Sequence, residues 1–125
     1  MSRNAHRDTI YAVNLSLLST HQADAAFFRE WDVFGVPGGL PFFLSFNVFA
    51  MTFLALGLIH VAQNGVQWRL VSLLCAATGT LTVAVHVVFL RVAPAAFSTK
   101  TSTLLFIAIA SVSALQAKLA LRNSS

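Results

Sequence analysis

Apolar residues dominate three long stretches of this chain, and polar residues gather in the short gaps between them. Pro41–Ala62, Leu70–Leu90 and Thr103–Leu121 each approach the run of about 20 mostly apolar residues that a bilayer-crossing helix needs. The breaker VPGGLP at Val36–Pro41 opens the first stretch. Pro41 suits a first helical turn, where its missing N–H is no loss. A polar turn, Gln63–Gln67, ends the first helix and begins the second, with Gly65 as the expected stop. A loop holding Arg91, Pro94 and Lys100 leads to the third. Trp31, Trp68, Arg69 and Arg91 have the character of interfacial anchors.

An earlier segment, Thr9–Phe28, is also long enough to span, but Asn14, His21 and Asp24 interrupt it. Its rival reading is a cleavable signal peptide covering about residues 1–25. Arg3 and Arg7 would form the basic start, Ile10–Leu18 the apolar core and Ala23-Asp24-Ala25 the cleavage site. The short core, broken by Asn14, and the histidine between core and site favour a span. The pattern therefore predicts helices over about 9–28, 41–62, 70–90 and 103–121, in one transmembrane domain covering 1–125.

Composition supports the membrane reading. Apolar residues make up 57% of the 125 and charged residues 10%, where a soluble domain carries roughly 25% charged residues. The formal charge of +4 is scattered, with no run of like charges, so no nucleic-acid footprint is present. Cys75, the single cysteine, lies in an apolar run and reads as a small packing residue. Four spans put both termini on one side, with Arg3, Arg7, Arg69, Lys118 and Arg122. Arg29, Arg91 and Lys100 fall on the other. The positive-inside rule then favours cytoplasmic termini, in a bacterial inner membrane.

Ionisable groups inside a span are expensive and usually face the bundle interior, where they mark function. The candidates are His21, Asp24, His60 and His86, with Asn14 and Asn47 as uncharged company and Glu30 just past the first helix. At about 1.5 Å per residue from the cytoplasmic ends, His21 lies roughly 18 Å deep, Asp24 and Asn47 about 22 Å and His86 about 25 Å. Three helices thus contribute to one polar layer in the outer half of the membrane, with Glu30 at its mouth. His60, about 3 Å from its end, stands apart. His21 and Asp24, three residues apart, share a helix face and can hydrogen-bond; Asn14 lies on the same stripe.

Imidazole and carboxylate together suit a divalent transition metal such as Zn or Fe, with His21, Asp24 and His86 as ligands. A His–Asp pair without metal suits an oriented base or proton relay. The structural alternative is helix-packing glue. Asp24 would neutralise His21 or Arg29, and His86 would bond a carbonyl or Asn47 across the bundle. Small residues in the last two segments, Gly79, Ala84, Ser111 and Ser113 among them, predict close approach of those helices.

The sequence His21-Gln22-Ala23-Asp24-Ala25 followed by Arg29-Glu30-Trp31 resembles a domain-of-unknown-function family of small bacterial four-helix membrane proteins. Its pattern is H-[E]-x-D-A…E-W, and it is distantly similar to the HXXEE membrane-protein family. The resemblance implies a four-helix membrane fold in which His21, Asp24, Glu30, His60 and His86 are matched positions, and it implies no activity. Gln22 departs from it, standing where the family commonly has a carboxylate.

The expectation is an all-α, up-down integral membrane bundle whose His/Asp layer binds a metal or a lipid-like ligand. The alternatives are a non-catalytic membrane subunit or binding module, and an oligomeric proton-coupled carrier. The partners expected are the bilayer and either a membrane protein or further copies of the chain. No P-loop, dinucleotide fingerprint, H-E-x-x-H or nucleophile elbow is present.

Overall fold

The computed structural model describes residues 3–94 and 99–122. Among these the regular structure is helical: α1 Arg3–Phe27, α2 Glu30–Val33, α3 Gly39–Ala62, α4 Trp68–Val92 and α5 Lys100–Arg122. α4 and α5 exceed the expected spans at both ends and α1 and α3 at the N-terminal end, because helix geometry continues into the polar flanks. Arg91 accordingly lies in the last turn of α4 and Lys100 opens α5, correcting the expectation that both sit in a loop. The short α2 has no apolar periodicity to announce it. It follows a left-handed residue, Arg29 at φ 52°, which turns the chain sharply at the end of α1.

Three of the long helices carry a buried stripe whose steps alternate between three and four residues, the signature of one helix face. In α1 it is Arg7, Tyr11, Asn14, Leu18, His21 and Ala25. In α5 it is Ser102, Phe106, Ile109, Ser113, Gln116 and Ala120, and in α4 it includes Ser72, Cys75, Gly79 and His86. α3 differs, burying only Leu54 and Val61 and exposing Phe42, Phe46, Phe49 and Phe53.

Side-chain bonds give the register. Arg7 reaches the Val61 carbonyl, Tyr11 that of Leu54, and Ser19 Met51, so α1 and α3 run antiparallel. Asn14 meets Gln116 and Asp24 meets Ser102, so α1 and α5 do too. α5 also packs on α4, and α4 on α3; α1 and α4 touch less. At Gly79 α4 lies close against α5: a Cβ there would collide with Ser113 Oγ. Asn14 Nδ2 donates to Gln116 Oε1 at 2.6 Å and to Ser113 Oγ at 3.2 Å, tying α1 to α5 mid-way along.

Of the expected spans, α3, α4 and α5 are long and apolar enough to cross a membrane. Their surfaces suit a solvent without hydrogen-bonding groups. The exposed hydroxyls of Ser45, Thr78 and Ser111 each donate to the carbonyl four residues back in their own helix. Ser16 and Thr20 on α1 do the same.

Candidate functional site: a buried His–Glu–His cluster

His21 comes from the α1 stripe, His86 from the α4 stripe and Glu30 from the first turn of α2. The left-handed turn at Arg29 folds α2 back over the bundle end, so Glu30 is only 4% exposed, beside His21 and His86 at 3% each. One ligand atom from each of the three lies within 4.8 Å of the others.

His86 is held on two sides. Its Nδ1 lies 2.7 Å from the Thr82 carbonyl one turn earlier, and Nε2 lies 3.0 Å from Glu30 Oε2. A carbonyl oxygen only accepts, so Nδ1 carries a proton and donates it to Thr82. Nε2 is thereby turned toward the carboxylate. A backbone carbonyl fixing the far nitrogen is the support that metal-binding histidines commonly have. The His21 and His86 rings meet edge to face with centroids 4.7 Å apart, and Phe106 packs against both, at 5.5 and 4.4 Å. Phe34 adds an edge contact to His86 at 5.5 Å. Two buried atoms of the cluster, His21 Nδ1 and Glu30 Oε1, have no hydrogen-bond partner. Such atoms cost free energy unless something fills the place of the missing partner.

The cluster forms the polar wall of an apolar cavity of about 410 Å³ between α1, α3 and α4. Leu18, Trp31, Phe43 and Met51 line its depth, and exposed Phe42, Phe46 and Leu81 stand at the opening between α3 and α4.

The remaining expected site residues lie elsewhere. Asp24 accepts from Ser102 Oγ at 2.8 Å, at the start of α5, and is not in the converging group. It does not neutralise Arg29 either, which pairs with Asp32 at 2.9 Å. Asn47 donates to the Phe43 carbonyl of its own helix, and Asn14 belongs to the network with Ser113 and Gln116. His60 packs beneath Gly65, where a Cβ would strike its ring. Glu30, expected at the mouth, is instead a full member of the cluster. Sequence reading missed Thr82 and Phe106. The four-residue spacing of Thr82 and His86 was an available signal for the first; nothing in the linear pattern singled out Phe106.

A model of a family of unknown function, DUF6713, matches residues 7–123, and the chain belongs to that family. This agrees with the resemblance to a domain-of-unknown-function family. No significant match was found among curated proteins or among solved structures.

Proposed function

For a member of a family with no assigned activity, we propose a membrane-embedded metal-binding role: a four-helix, four-span bundle that holds one divalent transition metal at His21, Glu30 and His86. The observation that carries it is the convergence of two imidazoles and one carboxylate, all buried, with two unpartnered ligand atoms among them. Two His and one carboxylate is the donor set of catalytic zinc sites and of non-haem iron sites, both of which keep a coordination position open. Around a tetrahedral ion with bonds of about 2.0–2.2 Å the donors stand about 3.4 Å apart. The His86–Glu30 pair stands at a hydrogen-bonded 3.0 Å, close to that spacing, and the His21 ligand atom, within 4.8 Å of the other two, would draw in to complete the set.

α1 supplies the fourth span. Its polar side chains Arg7, Asn14 and His21 point inward, and the exposed hydroxyls of Ser16 and Thr20 are satisfied by carbonyls of α1 itself. At about 1.5 Å per residue its length is roughly 37 Å, enough for a hydrocarbon core of about 30 Å. With cytoplasmic termini the metal lies in the outer half of the membrane. Such an ion supplies Lewis acidity toward an oxygen ligand in its open position.

The test is metal content of the detergent-purified protein by plasma mass spectrometry. Near-stoichiometric Zn, Fe or Mn, lost in His21→Ala and His86→Ala, is the expected result. A folded wild-type protein free of metal, also after incubation with Zn or Fe, overturns the proposal and leaves the cluster as a contact between helices.

A further inference from the structure

The cavity beside the cluster has a shape and polarity that select a ligand. Its volume, about 410 Å³, falls at the low end of the range of roughly 300–1,000 Å³ for small-molecule pockets. Along α4 it runs from Thr78 to His86 and along α3 from Phe42 to Met51, a length of about 12–14 Å at the helical rise. A long, narrow, aromatic and aliphatic cleft is built for one hydrocarbon chain.

Polarity is confined to one end. Thr78 and Thr82 also line the cavity, but both hydroxyls donate to carbonyls of α4 itself. Beyond these, Gln22 and the indole N–H of Trp31 add polar groups among the lining residues. The unpartnered Glu30 Oε1 and His21 Nδ1 therefore mark where a polar head belongs. The opening between α3 and α4 is flanked by Phe42, Phe46 and Leu81, which are 51%, 53% and 65% exposed. In the membrane reading those side chains face acyl chains, so the ligand enters from the bilayer.

We infer that the cavity binds a single-chain lipid with a carboxylate head, the chain lying in the α1/α3/α4 cleft and a head oxygen completing the metal coordination at His21, Glu30 and His86. This rests on the metal reading above. Beside Glu30 an anionic head is repelled unless a cation stands between them, so occupancy depends on the metal.

The two tryptophans make this measurable. Trp31 lines the cavity, whereas Trp68 sits at the other end of the molecule, 4.6 Å from the Arg7 guanidinium. Brominated dodecanoate, a local quencher, is titrated into detergent-purified, Zn-loaded Trp68→Phe protein, with Trp31→Phe protein as the control for partition into the micelle. Saturable quenching of Trp31 is expected, weakened by about tenfold or more on chelation. Quenching of Trp68 should only follow detergent partition. Ala50→Phe, which fills the cleft, should abolish the saturable phase while bound Zn is retained. Bound Zn with equal, unsaturable quenching of both tryptophans overturns the lipid inference and leaves the metal site standing. Saturable quenching of Trp31 that ignores chelation overturns the coordination of the head group. Absence of bound Zn from folded protein overturns the metal reading and this inference with it.

Discussion

Gly79 is the position at which a single added methyl has the clearest consequence. Its Cβ would enter the space of Ser113 Oγ and approach Asn14 Oδ1 to 3.4 Å, in the middle of the hydrogen bonds that join α1 to α5. Gly79→Ala should destabilise the fold by about 1–3 kcal/mol through overpacking, read as a lower midpoint in detergent unfolding. Gly79→Ala with Ser113→Gly should recover part of the loss; equal stability of wild type and Gly79→Ala would contradict the close approach. The same scale shows what single residues disclosed in advance. His21 and His86 were legible because an ionisable group in an apolar run needs a reason to be there. Asp24 misled because its spacing from His21 is helical, but Ser102, contributed by a helix 78 residues away in sequence, takes its carboxylate. Such a contact has no local signal. Glu30 was visible as a residue and not as a ligand, since its place depends on the left-handed turn at Arg29.

Among the elements, α1 is the one whose nature composition conceals. Hydropathy singles out α3, α4 and α5, while α1 carries Arg7, Asn14 and His21 on its inward stripe and Thr9, Ser16, Ser19 and Thr20 on its exposed side. Arg7 on that stripe donates to the Val61 carbonyl at 2.7 Å and to Asn64 Oδ1 at 2.9 Å, satisfying the C-terminal end of α3 where the helix dipole favours a cation. α1 thus packs on both α3 and α5. If α1 spans, Asn4 and Asp32 face opposite sides of the membrane. In a Cys75→Ala background, a cysteine at position 4 should react with an impermeant maleimide only from the cytoplasmic side and one at position 32 only from outside. Labelling of both from one side would refute the fourth span. The three apolar helices were readable to within a few residues of their ends; α2 was not, because four residues are too few for a periodic pattern.

For the whole molecule, the all-helical fold followed from the length of the apolar runs, and the tight approach of the last two helices from their small residues. The order in which α1, α3, α4 and α5 surround one another did not, since it depends on which faces interlock. That order creates both the cluster and the cleft: α3 exposes most of its surface and leaves an opening against α4, while α1 and α4 bring their histidines together beneath α2. The central claim is that these three side chains, and not the His21/Asp24/His86 set suggested by the sequence, hold a metal. Calorimetric titration of Zn into metal-stripped protein in detergent tests it most directly, with wild type beside Glu30→Gln and Asp24→Asn. One site per chain is predicted for wild type and Asp24→Asn, with affinity reduced by about tenfold or more in Glu30→Gln. Zn binding that survives Glu30→Gln unchanged and is lost in Asp24→Asn would contradict the account.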